Sequence, residues 1–197
     1  MLYKHKVILA SGSPRRRELI GYLFKNNEIL RYPCEEPIWQ KGQSAKAYLK
    51  ACLDEKWRCA LLALDAPGDA LLLVADTIVV QGAQVLGKPR DEADARRMLT
   101  LLSSRPHFVR SGFRLGLADG SAPFVDRVVE SRVSFRKLSA KEIRDYVSSG
   151  EPMDKAGAYG FQGIGIQNIA SIKGSYTNIV GLPLDELRRA AADLGVV

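Results

Sequence analysis

The chain is 197 residues long, 46% hydrophobic and 26% charged, an ordinary globular composition with material for a real core in a single domain spanning 1–197. Its longest apolar run, residues 70–75 and 77–80, is broken by Asp76 and falls far short of the roughly 18 residues of a membrane-spanning helix, so no membrane partner is expected. The formal charge of +7 favours polyanions, but no K/R-rich block, aromatic RNA-binding strand motif or zinc-finger spacing accompanies it, so a nucleic acid is not the expected partner either.

Residues 1–6 lead directly into an apolar stretch without a small-residue cleavage site, unlike a secretion signal, which predicts a cytoplasmic location. Residues 6–10 read as a short buried strand. Ser13-Pro14 reads as a helix start, because serine caps well and proline suits the first helical position. Leu19, Ile20, Leu23 and Phe24 continue with helical spacing. Residues 32–43 read as loop or edge strand, and 44–64 as a long helix stopped by Asp65-Ala66-Pro67-Gly68. Residues 71–80 give the strongest strand signal, with a polar break at Asp76-Thr77, and Gln81-Gly82-Ala83-Gln84 suits a hairpin turn. Asp91 caps a helix bearing Ala95, Met98, Leu99 and Leu102. Two alternating segments, 107–117 and 127–135, join through Asp119-Gly120. Ser139 and Glu142 predict a capping box for a helix ending at Gly150; 156–167 is glycine-rich and irregular; 184–194 is a last helix stopped by Gly195. Helices alternating with strands define an α/β or mixed α+β class.

Three features, with Glu35-Glu36 and Lys88-Pro89 as weaker additions, could carry chemistry. Ser11-Gly12-Ser13-Pro14-Arg15-Arg16-Arg17 sits between a strand and a helix, where serine hydroxyls and guanidinium forks make an anion cradle. Three arginines in a first helical turn oppose the helix dipole, and a bound polyanion supplies a reason for them. Helical geometry turns Arg16 toward Ile20 and Leu23, so Arg16 is the inward-facing one. Lys56 shares a helical face with Ala45, Tyr48, Leu49, Cys52, Cys59 and Ala63, and there it must snorkel, meet an anion or line a cavity. Asp76 stands where a central strand would end, the place where ligands collect in α/β folds. Glu35-Glu36 gains interest only as a second carboxylate for Mg²⁺ beside Asp76, and Lys88-Pro89 as a further phosphate contact. Each has a bland alternative: a solvated basic turn, a snorkelling lysine, a turn-forming aspartate, solvated acids. Together they describe a pocket for a Mg²⁺-bound triphosphate. The cysteines (Cys34, Cys52, Cys59) lack C-x-x-C spacing and histidines number two, so reduced thiols are expected and a zinc site is not.

An ordered set of motifs extends this reading. Leu9-Ala10-Ser11-Gly12-Ser13-Pro14-Arg15-Arg16, Glu35-Glu36, Glu55-Lys56, Ala75-Asp76-Thr77, Gly87-Lys88-Pro89-Arg90-Asp91, residues 154–163 (Asp-Lys-Ala-Gly-Ala-Tyr-Gly-Phe-Gln-Gly) and residues 180–184 (Val-Gly-Leu-Pro-Leu) occur in the order found in the Maf nucleoside triphosphate pyrophosphatases. The chain resembles that family from about residue 7 to 194.

The resemblance implies an α/β, ITPase-like fold: two lobes with a cleft between them, and a twisted mixed sheet flanked by helices. It also implies metal-assisted hydrolysis of a nucleoside triphosphate to monophosphate and pyrophosphate. By position, Asp76 would be the catalytic base, and Ser11, Ser13, Arg16, Lys56 and Lys88 would hold phosphate. Glu36 with Asp76 would hold a divalent metal, Mg²⁺ with Mn²⁺ as the alternative. Arg15, Thr77 and Gln162 are similar to the branch acting on dTTP and UTP, and glutamine offers both a donor and an acceptor to a pyrimidine edge. The family also implies a homodimer. The sequence departs from the family pattern at Ala51, where arginine is frequent, at Cys34, where a small apolar residue is common, and at Ser111, where threonine is frequent. Two other classes fit part of the pattern: a nucleotide-binding regulator of cell division without turnover, and a nucleic-acid-binding module.

Overall fold

Four consecutive apolar residues are buried on both faces when parallel neighbours flank them. That is the setting of strand β1 (Val7–Ala10), which lies between β2 (Asn27–Leu30) and β3 (Leu71–Gln81). The computed structural model describes residues 5–65, 68–121 and 123–196. The remaining strands are β4 (Gln84–Leu86), β5 (Pro106–Leu117), β6 (Phe124–Phe135) and β7 (Ile169–Lys173). They form a seven-stranded mixed sheet in the order β2-β1-β3-β5-β6-β7, with β4 pairing antiparallel to β3 and β7 antiparallel to β6. The helices are α1 (Pro14–Ile20), α2 (Ala45–Leu62), α3 (Glu92–Leu102), α4 (Ala140–Ser148), α5 (Tyr176–Val180) and α6 (Leu184–Asp193). The fold class is α/β with a mixed sheet, as expected.

The chain divides into two compact units. The first comprises Met1–Asp76, Ser111–Val129 and Gly181–Val197. Its core packs Ile8, Leu72 and Val74 of the sheet against Leu53, Trp57 and Ala60 of α2. Beside it the buried Arg114 donates to Asp126 at 2.6 and 2.7 Å and to Asp54 at 2.7 Å, and its guanidinium lies 4.3 Å from the Phe124 ring centroid. A buried arginine is tolerated because two carboxylates and an aromatic face replace its water.

The second unit comprises Thr77–Arg110 and Glu130–Val180. The four apolar residues expected of α3 are all buried in its core, and Asp91 caps that helix by accepting from Asp94 N at 2.7 Å. The Ser139–Glu142 capping box closes in both directions, with Glu142 N donating to Ser139 Oγ at 3.3 Å and Ser139 N donating to Glu142 Oε2 at 2.8 Å. These bonds hold the Glu142 carboxyl at about 2, below the usual carboxylate range. Gly82, with φ of 59°, makes the hairpin turn between β3 and β4.

Several elements differ from the sequence reading. α1 stops at Ile20, and Phe24 is buried beyond it while Leu23 is half-buried, so the apolar spacing outlasts the helix. β3 runs unbroken through Asp76 and Thr77 to Gln81, which puts Asp76 inside a strand and not at its end. Strands β2 and β7 and the short helix α5 carry no periodic signal in the sequence. α2 ends at Leu62; of the turn expected after it, Ala66 and Pro67 lie outside the described residues, as do residues 1–4 of the N-terminal reading.

His107 is fully buried, packed edge-on to Phe135 and Tyr159, with Nε2 and the Tyr159 hydroxyl 2.8 Å apart. Burial pushes its pKa down to about 4 from the ordinary 6.5 of a histidine. The native ring therefore stays neutral where the unfolded ring takes up a proton. Stability from this site is present above pH 6.5 and falls as pH drops toward 4, by about 3 kcal/mol at most. Urea midpoints of the wild type should drop across that window. His107→Phe should flatten the drop, and an equal slope in both proteins would remove His107 as its cause.

Candidate functional site

Within the first unit the cradle is built from the end of β1 and the start of α1. Ser11 Oγ accepts from Ser13 N at 3.2 Å, and Ser13 Oγ caps α1 by accepting from Arg16 N at 3.5 Å. Arg16 then reaches over to β3 and to the segment before α6. Its Nε donates to the Gly181 carbonyl at 2.9 Å, and its Nη1 donates to the Ala75 carbonyl at 2.8 Å and to Ser11 Oγ at 3.4 Å. The cause lies in the register of β3. Residues 71–74 pair with β1 and residues 79–81 with β4, so the Ala75 carbonyl falls between the two stretches and takes its donor from a side chain. Burial lowers the Arg16 pKa while Asp76 and Glu36 pull it up, and the guanidinium stays charged.

Lys56 does not snorkel. Its ammonium donates to Asp76 Oδ1 at 2.6 Å and lies 3.1 Å from Glu36 Oε1. Lys56 and Asp76 are only 8% and 9% exposed, so each carries the charge that makes the other's burial tolerable, while Glu36 stays exposed. The buried face of α2 is Leu49, Cys52, Leu53, Lys56, Trp57 and Ala60. That face is turned from the expected one, with Ala63 exposed and Cys59 half-buried. Cys52, buried near Asp76, has its thiol pushed up to about 12, chiefly by burial. The loop carrying Glu36 is tied down by Tyr48, whose hydroxyl donates to the Pro37 carbonyl at 3.1 Å, and by Trp39, whose Nε1 donates to the Gln43 carbonyl at 3.0 Å.

Of the expected site residues, the first unit thus brings Ser11, Ser13, Arg16, Glu36, Lys56 and Asp76 into one neighbourhood; Arg15 is half-buried on α1. Thr77, Lys88 and Gln162 belong to the second unit. Thr77 is half-buried on β3, and Lys88 is exposed in the loop after β4. That loop is buttressed where Gly157 N donates to the Gly87 carbonyl at 3.0 Å. Gly157 has φ of +70°, and a side chain there would begin 3.0 Å from Val79, so a larger residue would be strained and crowded. Gln162 is half-buried in a segment anchored by Glu151, whose carboxylate accepts from Tyr146 Oη at 2.9 Å, Ile164 N at 2.8 Å and Gly165 N at 3.0 Å.

The sequence reading missed the Ala75 and Gly181 carbonyls, because backbone acceptors leave no residue-type signature. It also set aside the cysteines. Among the described residues, a group of three donors near enough to share an ion is Cys34, Glu55 and Cys59. The signal available was Glu55 and Cys59 one helical turn apart.

An anchored guanidinium thus stands beside a buried lysine–carboxylate pair on a mixed α/β sheet. The chain belongs to the family of Maf-like proteins, which matches residues 6–194. It is 44% identical over 195 residues to the dTTP/UTP pyrophosphatase of Anaeromyxobacter sp. (strain Fw109-5), covering 96% of this chain and 91% of that one. It is 46% identical over 178 residues to the dTTP/UTP pyrophosphatase of Yersinia pestis bv. Antiqua (strain Antiqua), covering 90% and 87%. The structure of a HAM1 protein from Coxiella burnetii shares the fold, with a TM-score of 0.52 and 14% identity over 98% of this chain and 100% of that one. No helix among the described residues is long and apolar enough to cross a membrane.

Breaking the buried pair from one side leaves an uncompensated charge. Lys56→Met should lower stability by about 3 kcal/mol, and adding Asp76→Asn should restore much of the loss. Urea denaturation of the two variants measures this; additive losses would mean that the two groups are not coupled.

Proposed function

We infer that residues 1–197 act as one domain that hydrolyses a nucleoside triphosphate, dTTP or UTP, between its α and β phosphates to give the monophosphate and pyrophosphate. The observation that carries this reading is the 2.6 Å contact between Lys56 and the buried Asp76, with Arg16 fixed alongside. Cations for a polyphosphate and a carboxylate able to accept a proton meet in one place. The activity for which the relatives are named supports the reaction, and the motif order supports the assignment of residues.

In this proposal Ser11, Ser13, Arg16, Lys56 and Lys88 hold the phosphates. The Lys56 ammonium, now satisfied by Asp76 and Glu36, transfers part of its hydrogen bonding to phosphate oxygens. That frees the Asp76 carboxylate to take the proton of the water attacking the α-phosphorus. Arg15, Thr77 and Gln162 select the base, Gln162 through an amide that both donates and accepts. Asp76 and Glu36 offer hard oxygen donors on either side of one ammonium, a set that suits a divalent cation such as Mg²⁺ or Mn²⁺. Such an ion, when bound, supplies charge neutralisation for the triphosphate and its leaving group. The proposed setting is the cytoplasm and the proposed assembly a homodimer.

A panel of nucleoside triphosphates incubated with Mg²⁺, scored for pyrophosphate against orthophosphate, tests the reaction. Pyrophosphate from dTTP and UTP is expected; orthophosphate alone, or binding without product, would overturn it. Asp76→Asn should fold and lose about 10²-fold or more in kcat, because the amide cannot accept the proton. Near-normal pyrophosphate release by that variant would remove Asp76 from the mechanism.

A further inference from the structure

A second constellation lies on the first unit around α2, built from residues other than those proposed to hold phosphate. The loop after β2 brings Cys34 back against the helix, where Glu55 and Cys59 project one turn apart. The three donor atoms lie within 4.8 Å of one another. They border an open cavity of about 270 Å³ lined also by Pro33, Glu35 and Arg58. Cys59 Sγ donates to Glu55 Oε1 at 3.5 Å, and Cys34 Sγ contacts the Glu55 carbonyl at 3.7 Å. Arg58 donates through Nε and Nη2 to Glu55 at 3.0 and 2.6 Å and lies 3.6 Å from Cys59 Sγ.

We propose that Cys34, Glu55 and Cys59 bind a borderline-soft divalent transition-metal ion of the Zn²⁺ class, separately from any ion that accompanies the nucleotide. Sulfur ligands about 2.3 Å from a tetrahedral ion stand about 3.8 Å apart, so donors already within 4.8 Å close on an ion through side-chain movement alone. Two sulfurs with one carboxylate exclude Mg²⁺ and Ca²⁺, which take oxygen ligands, and select the Zn²⁺ class. The fourth position opens on the cavity, where water or the Glu35 carboxylate completes the shell. On binding, both thiol protons leave to solvent. The two thiolates and Glu55 then exceed the ion's charge by one, which Arg58 offsets while keeping one Glu55 oxygen oriented, the role usual for a group behind a metal ligand. Cys34 lies two residues before Glu36, and Cys59 three after Lys56, so the ion ties the Glu36 loop to the helix that carries Lys56.

Titration of the reduced full-length chain with Co²⁺ alone, then Zn²⁺ alone, tests this. Expected is one equivalent of Co²⁺ giving a thiolate-to-cobalt charge-transfer band and tetrahedral visible bands, bleached by one equivalent of Zn²⁺. Cys34→Ser and Cys59→Ser should each weaken binding by more than about tenfold and remove charge-transfer intensity. Cys52→Ser and Asp76→Asn should keep the full spectrum, so the result stands independently of the pyrophosphatase reading. A spectrum without thiolate bands, or one that survives both Cys34→Ser and Cys59→Ser, would overturn the site. So would a Cys34–Cys59 disulfide that forms in preference to binding when Zn²⁺ is present.

Discussion

The Lys56–Asp76 pair is the constraint around which the first unit is arranged. A carboxylate in the middle of an apolar strand and a lysine on the buried face of a helix are each unfavourable alone, and they are tolerated because they face one another. The 2.6 Å contact fixes how α2 lies on β3 and draws Glu36 in from the loop. A purely apolar contact at this point would pack at least as well. The polar solution therefore marks a place where the molecule keeps charge in reserve, as the proposed triphosphate site requires.

Arg16 depends on the same strand. β3 exchanges β1 for β4 as a partner along its length, and the Ala75 carbonyl falls in the interval between them. The guanidinium fills that interval and takes the Gly181 carbonyl as well, so residues far apart in the chain meet through one side chain. The placement of Arg16 thus follows from a change of partner along one strand. In the second unit Glu151 plays a comparable organising part, collecting three donors around the segment that holds Gln162.

Much of this was legible in the sequence wherever a local rule decides the outcome. Asp91 before an amphipathic run, Ser139 three residues before Glu142, and Gly82 between two apolar segments each fix their element through bonds within a few residues. The elements that escaped notice lack such rules: β2 and β7 lie at the two ends of the sheet order and are half-buried or exposed, and α5 has only five residues. Asp76 was recognised as costly but misplaced at a strand end, because sequence reveals that a carboxylate needs a partner and not that Lys56 supplies one inside the strand. The cysteines were dismissed on spacing rules that describe short loops, whereas Cys34 reaches its neighbours by tertiary return.

The anchoring of Arg16 carries a consequence for recognition. A free arginine side chain at a surface samples many rotamers and must give up that freedom when a ligand arrives. Here three acceptors, two of them backbone carbonyls, have already fixed its conformation during folding. An anion meeting this guanidinium therefore finds it pre-ordered, and the entropy of immobilisation has been charged to the stability of the protein and not to the affinity of the complex.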